Sequence, residues 1–138
     1  MLAIDAASFR LLARWEEELA PRTVEAFRRL LPFEDRLIHC RWSGESNWIP
    51  WGDRELGVGG PENATSYPLP GEIALYPGGV SETELLFPYG YCCFASKAGQ
   101  LAANHFATVV EGAEHLKELG RLTLWEGAQP IRFSERGS

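Results

Sequence analysis

The segment from Gly71 to Glu84, GEIALYPGGVSETE, strongly limits how this chain can fold. A strand-length apolar run breaks at a glycine pair, which is typical of a tight hairpin turn. Residues two apart on an extended strand share a face, so Glu82 and Glu84 are predicted to point the same way. The missing side chains at Gly78 and Gly79 also let backbone or ligand approach closely. The segment therefore predicts a hairpin beside a small-molecule site, and a solvated hairpin is the alternative.

Short strand patterns recur through the rest of the chain, separated by glycine, proline and polar turns. Two helices interrupt them: one begins at Pro21 and stops at Pro32, and the other covers Glu111 to Leu119 with Gly120 as its cap. The remaining predicted strands are Ser8–Trp15, Leu37–Trp42, Trp48–Trp51, Glu72–Tyr76, Thr83–Phe87, His105–Val110, Leu122–Trp125 and Ile131–Phe133. Many strands with two short helices predict a mainly β domain, either a barrel or a sandwich.

Composition restricts the classes of function. The 138 residues predict one domain over residues 1–136, with Gly137 and Ser138 set aside as a possible cloning remnant. No signal peptide is recognisable at the start, which predicts a cytoplasmic protein without a membrane span. A net charge of -6 argues against a nucleic-acid partner. Three cysteines and three histidines without ligand spacing predict neither a disulfide scaffold nor a metal site.

The long irregular segment from Asp53 to Pro70 interrupts the strand pattern. Loops of this length usually have a function of their own. Two interpretations of this segment remain open: a lid over a site, or a contact with a second copy of the chain. Exposed aromatic residues would also suit a homo-oligomer, although one sequence does not locate the interface.

Several stretches resemble cyclophilins. APRTVEAFRRLL resembles their first helix motif, LIHCRW the strand that carries their catalytic arginine, and NHFATVVEGAEHLKELGRL the strand and helix that follow their active-site histidine. RWSGESNWIP, ENATSYPLPGEI, LYPGGVSETE and FASKAGQLAANHFATVVEG resemble a bacterial cyclophilin-like family long catalogued without a function. The resemblance implies a closed β-barrel with two short helices.

By that resemblance, Arg41 occupies the position of the catalytic arginine and His105 that of the active-site histidine. Two motifs depart from the prolyl isomerases. The chain reads IPWGD where they have a glutamine before a Gly-Gly-Asp turn, and GGVSETE where they have an asparagine-rich stretch. Residual prolyl isomerase activity is therefore the weakest of the functions considered.

Related cyclophilin-like proteins include the cucumopine and mikimopine synthases. These opine synthases join L-histidine to 2-oxoglutarate by a Pictet-Spengler cyclisation, which needs no metal or redox cofactor. The resemblance implies a similar enzyme whose partners are an amino acid and an α-keto acid. A non-catalytic protein that binds a small carboxylate or amide metabolite is the alternative.

The residue types suggest roles in such a reaction. Arg41 and Lys97 are expected to bind carboxylates, because guanidinium and ammonium groups pair with them. Glu82 is the favoured base, with Glu84 second, since neighbouring carboxylates raise each other's pKa. The other expected site residues are His105, which could transfer protons, and Trp48 and Tyr76, whose rings could contact substrate.

Each of these assignments has a structural alternative. Arg41 could form an ion pair with Glu45, and Lys97 could simply be exposed. The two glutamates could lie on a solvated strand face. His105 could be a hydrogen-bonded core residue.

Overall fold

The computed structural model describes residues 1–137. In this part of the chain the helices are α1 (Pro21–Arg28) and α2 (Leu116–Trp125). The strands are β1 (Leu2–Ala6), β2 (Phe9–Trp15), β3 (Phe33–His39), β4 (Gly44–Pro50), β5 (Ala64–Thr65), β6 (Glu72–Tyr76), β7 (Glu84–Cys92), β8 (Ala95–Ser96), β9 (Gly99–Gln100), β10 (Ala103–Glu111) and β11 (Gln129–Glu135).

Eight antiparallel strands close into a barrel in the order β2-β1-β11-β3-β4-β7-β6-β10, because β10 pairs back onto β2. The short strand β5 adds to β10, and within residues 1–137 β8 pairs only with β9. The predicted closed barrel with two short helices is confirmed. No helix in residues 1–137 has the length and apolar character needed to cross a membrane.

The barrel interior is an apolar core. Leu85 of β7 faces Leu75 of β6 and Ile49 of β4 in the strand register, and all three are buried. Helix α1 joins this core through Phe27, whose ring lies 4.8 Å from that of Phe106 and meets other phenylalanine rings edge-on. The buried face of α1 therefore secures the helix to the barrel.

A second buried cluster lies on the outside of the barrel. Ala74, Leu86 and Trp48 are adjacent in register and alternate with the interior residues, so they face outward. Phe94, in the segment after β7, covers them and places its ring 5.6 Å from that of Tyr76. We call this group the outer cluster; its buried members are Cys40, Ala74, Tyr76, Leu86, Cys92, Phe94 and Ala103.

The course of helix α2 differs from the prediction for the C-terminal third of the chain. Residues 122–125, predicted as a strand, form the second half of α2, and Gly120 lies within the helix instead of capping it. The glycine is required because a Cβ atom there would overlap the ring of Tyr89. Packing against the barrel therefore requires glycine at a position where the local sequence pattern predicts the end of the helix.

Several further boundaries differ from the prediction: β3 begins at Phe33, β4 begins at Gly44 and β7 extends to Cys92. Strand β1 was not predicted, although its burial alternates as expected for a half-buried strand. Residues 41 and 42, predicted to end a strand, lie in a 3-10 turn. Glu111 ends β10, and α2 begins only at Leu116 after a further 3-10 turn.

The long segment from 53 to 70 is fastened to α1 at its middle. The Glu62 carboxylate accepts hydrogen bonds from the Thr23 backbone N–H and hydroxyl, both at 2.8 Å, and from Arg22 Nε at 3.0 Å. Asn104 of β10 adds a hydrogen bond to the Gly60 carbonyl. The segment is therefore ordered against its own barrel.

Candidate functional site

The turn between β6 and β7 borders an open cavity of about 500 Å³. Residues 52–55 line one side, and residues 77–79 and 81–83 line the other. We call the space the hairpin cavity. Backbone hydrogen bonds hold the two sides together, from Trp51 N to the Thr83 carbonyl at 2.8 Å and from Thr83 N to the Gly52 carbonyl at 2.9 Å. Its shape is therefore fixed by strand-like pairing.

Two features stabilise the hairpin turn. Gly78 and Gly79 have φ angles of 90° and 125°, which L side chains rarely adopt. The Tyr76 hydroxyl lies beneath the turn and accepts hydrogen bonds from Val80 N at 3.1 Å and Ser81 N at 3.4 Å. Tyr76, expected to contact substrate, is thus a support for the turn.

The two glutamates of the sequence motif lie in different environments. Glu84 opens β7 beside Tyr76 and is only 5% exposed, whereas Glu82 precedes the strand, is exposed and lines the hairpin cavity. The expectation that both occupy one strand face is wrong, because the strand begins at Glu84. Burial, and then the negative charge of Glu82, raise the pKa of Glu84 to about 8.

Glu84 and Glu82 interact electrostatically. The pKa of Glu84 means that its carboxyl group is mostly protonated at neutral pH, and Glu82 bears the negative charge that acts on it. Like-charge repulsion and desolvation are the usual causes of such a shift. Glu84 therefore stays protonated at pH values where an exposed carboxyl group is ionised.

His105 lies in a hydrogen-bonded network outside the hairpin cavity. Its Nε2 is 2.7 Å from the Thr108 hydroxyl, which donates to the Glu16 carboxylate at 2.7 Å. Because that hydroxyl has one proton to give, it must accept from His105 Nε2–H. The other nitrogen, Nδ1, lies 3.8 Å from Glu72. Both ring nitrogens therefore face protein groups.

The same network acts on Glu16. Burial would raise its pKa, but hydrogen bonds from Thr108 and Arg14 outweigh burial and lower the pKa below its usual range. Hydrogen bonds from the protein therefore stabilise the ionised form of Glu16, in contrast to Glu84.

The expected cationic residues do not meet at the hairpin cavity. Arg41 is exposed in the 3-10 turn that follows β3, and Lys97 is exposed in the turn between β8 and β9. Burial and then the charge of Arg41 lower the pKa of His39, which places the arginine beside that ring. The alternative pairing with Glu45 is absent among residues 1–137, where the Glu45 carboxylate instead accepts a hydrogen bond from Tyr91 N at 2.9 Å.

Trp48 belongs to the outer cluster. Its ring meets that of the exposed Trp42 at 5.1 Å and 90°. Its indole N–H is buried and finds no acceptor within residues 1–137. This unpaired donor is a second unusual polar group near the β4, β6 and β7 strands.

Arg54 is a site residue that sequence reasoning missed. It lines the hairpin cavity, and its guanidinium lies 5.3 Å from the centre of the Trp51 ring. Asp53 and Glu55 flank it on the same side of the cavity. The run WGDRE, which places a charged cluster beside a tryptophan, was the sequence signal for Arg54. The pairing of this loop with the β6–β7 turn is visible only in three dimensions. Among residues 1–137, no group of three or more potential ligands could hold a metal.

The closed barrel and its two helices define a cyclophilin-like architecture. The chain belongs to the DUF3830 family, described as a protein of unknown function, whose model matches residues 2–135. No curated protein sequence matches it.

Two solved structures share the fold. A structure of McbB in complex with tryptophan is 19% identical with a TM-score of 0.68, covering 100% of this chain and 45% of that one. This chain thus spans less than half of McbB. The hypothetical protein AF2241 from Archaeoglobus fulgidus, solved in solution, is 17% identical with a TM-score of 0.58, covering 98% and 93%. At these identities the likeness shows the fold alone.

Proposed function

We propose that this protein is a cyclase that joins an amino acid with an aromatic ring to an α-keto acid by a Pictet-Spengler condensation. The observation that carries the proposal is the carboxyl pair, Glu82 at the hairpin cavity and the buried Glu84 with a pKa of about 8. The resemblance of the sequence to opine synthases supports L-histidine and 2-oxoglutarate as substrates. The tryptophan held by McbB supports L-tryptophan as a second amino acid to test.

The reaction requires proton transfers that this pair can perform. The substrate amine attacks the keto carbon, water leaves, and the resulting iminium carbon forms a bond with a ring carbon. That ring carbon then loses its proton to restore aromaticity. Glu82 reaches the cavity, so it is the base that takes protons from the ammonium and the ring. Glu84 does not line the cavity, but it lies close enough to Glu82 for the charge of Glu82 to raise its pKa. His105, Arg41, Lys97 and Trp48 lie outside the cavity and are not assigned substrate contacts.

The test is product formation. Purified protein is incubated with 2-oxoglutarate and either L-histidine or L-tryptophan, and products are followed by chiral chromatography and mass spectrometry. A faster, stereochemically single product equal in mass to both substrates minus water supports the cyclase. The controls are a protein-free reaction, because the condensation also proceeds uncatalysed, the variant Glu82→Gln, and the matched variant Glu34→Gln. Glu34 is 74% exposed and lies outside the hairpin cavity. No acceleration with either amino acid overturns the proposed reaction.

A non-catalytic binding protein is the second proposal. It is favoured by the exposure of Asp53, Arg54, Glu55 and Glu82, because water that reaches an iminium competes with ring closure. This function predicts that amino acids or keto acids raise the melting temperature while their masses stay unchanged. Product formation at an accelerated rate excludes it.

A further inference from the structure

The charges around the hairpin cavity have a pattern that the proposed reaction does not by itself explain. Residues 52–55 contribute one guanidinium, on Arg54, between two carboxylates, on Asp53 and Glu55. The opposite side contributes the Glu82 carboxylate. An anion alone would meet mostly like charge here, and so would bind poorly.

Arg54 is held in place while its guanidinium stays available. The group lies over the Trp51 ring, and the Trp51 indole N–H is itself fixed by a 3.0 Å hydrogen bond to Asp35. The Arg54 carbonyl accepts a 2.7 Å hydrogen bond from the Thr83 hydroxyl, which ties the loop to the hairpin. No carboxylate in residues 1–137 lies within ion-pair distance of the guanidinium. A fixed and unpaired guanidinium suits a planar carboxylate of a ligand.

The opposite side suits a cation. Glu82 projects from the hairpin turn, where Gly78 and Gly79 carry no side chains that would obstruct a small ligand. Glu82 and Arg54 line the same cavity and so offer a ligand one acceptor and one donor. The free α-amino acid headgroup has the complementary pair, one ammonium and one carboxylate on the same carbon.

We propose that the hairpin cavity binds the headgroup of a free α-amino acid, with Arg54 on its carboxylate and Glu82 on its ammonium. This inference rests on the proposed function and deepens it, because it assigns the amino-acid half of the substrate pair to a place. The ammonium must lose a proton before its nitrogen can attack a carbonyl. A Glu82 carboxylate in contact with the ammonium can accept that proton.

The test is a binding comparison that needs no turnover. L-tryptophan, tryptamine and indole-3-propionate share one ring but carry both charges, only the ammonium, or only the carboxylate. Each is titrated into isotope-labelled protein while backbone amide shifts are followed by NMR. The expected result is that L-tryptophan binds about 10-fold more tightly than either analogue, since each lacks one charge-assisted hydrogen-bonding group. The shifts should be concentrated in residues 52–55 and 78–83. L-histidine, histamine and imidazole-propionate form a second series.

Two arginine variants sharpen the comparison. Arg54→Gln should remove the preference for L-tryptophan over tryptamine and leave tryptamine binding unchanged. The matched variant Arg10→Gln should change neither, because Arg10 is 85% exposed and pairs with Asp5 outside the cavity. Equal binding of all three ligands, an unchanged preference in Arg54→Gln, or no binding of either amino acid overturns the inference.

The outcomes separate this inference from the cyclase proposal. If amino acids bind through Arg54 but no product forms, the cyclase fails and the binding site stands. If product forms and Arg54→Gln leaves the KM for the amino acid unchanged, the cyclase stands and the binding site fails.

Discussion

Glu84 at the β6–β7 hairpin and Glu16 in the β10 network are both shielded carboxyl groups, yet their pKa values move in opposite directions. Glu84 gains burial and a like charge, so its pKa rises to about 8. Glu16 gains hydrogen bonds from Thr108 and Arg14, so its pKa falls. The comparison shows that burial alone does not mark a functional carboxylate. A buried carboxyl group without compensating donors costs stability, and this makes Glu84 the better candidate for a functional role.

The largest expected effect is on turnover at the hairpin. If the cyclase proposal holds, Glu82→Gln should lower kcat on the order of 100-fold or more, the usual contribution of a general base. Glu16→Gln should leave kcat within about 2-fold at a temperature where both variants are folded, since removing a network carboxylate changes no group at the cavity. Steady-state kinetics on both variants measures the contrast. Equal losses of kcat in the two variants would mean that Glu82 is not the catalytic base.

The next effect is on stability at alkaline pH. The folded protein keeps the Glu84 proton where the unfolded chain, with an ordinary pKa, has lost it. The stabilising effect of that proton is therefore complete below the ordinary carboxyl pKa and is lost as pH rises towards about 8. Glu84→Gln removes this loss, so at pH 9 the variant should be more stable than the parent by on the order of a few kcal/mol. Urea unfolding at pH 6 and pH 9 measures the effect, and a parallel fall in stability in both proteins contradicts it.

The β10 network should respond in the opposite sense. Glu16 has a lowered pKa, so its contribution is present above the ordinary carboxyl pKa and is lost as pH falls through its folded value. Thr108→Val removes the hydroxyl that donates to Glu16 and should cost about 1 kcal/mol at pH 7. The loss should shrink at acidic pH, as the carboxylate becomes protonated. Chemical unfolding at pH 7 and at acidic pH tests this, and a loss independent of pH would assign the effect to packing.

The smallest expected effect comes from the support of the hairpin turn. Tyr76→Phe removes the oxygen that accepts hydrogen bonds from Val80 N and Ser81 N, at a cost of about 1 kcal/mol. A looser turn lets Glu82 move away from Glu84, so the pKa of Glu84 should fall. A carboxyl carbon NMR titration reports that pKa directly. An unchanged pKa of Glu84 would mean that strand pairing keeps Glu82 and Glu84 close without help from the Tyr76 hydroxyl.

Much of the fold was readable from the sequence because strands and turns are local patterns. The glycine pair, the alternation in β2 and Pro21 at the start of α1 all act within a few residues. Gly120 failed as a helix cap because its role is contact with Tyr89, far away in the chain. Local pattern and distant packing conflict at this position, and packing determines the structure.

The site was less predictable for the same reason. GGVSETE identified the correct turn, but which glutamate is buried depends on where β7 begins and on its pairing with Tyr76. Arg54 joins the cavity through backbone bonds across two separate segments, which no spacing rule encodes. His105 resembled an active-site histidine by position, yet the network partners Thr108 and Glu16 engage it.

The fastening of the long segment by Glu62 has a consequence for how the protein opens. One carboxylate receives the first N–H groups of α1 and holds the middle of the 53–70 segment, so the two cannot separate without leaving those N–H donors unpaired. The helix and the segment should therefore exchange their amide hydrogens with deuterium at matching rates, as a single cooperative unit.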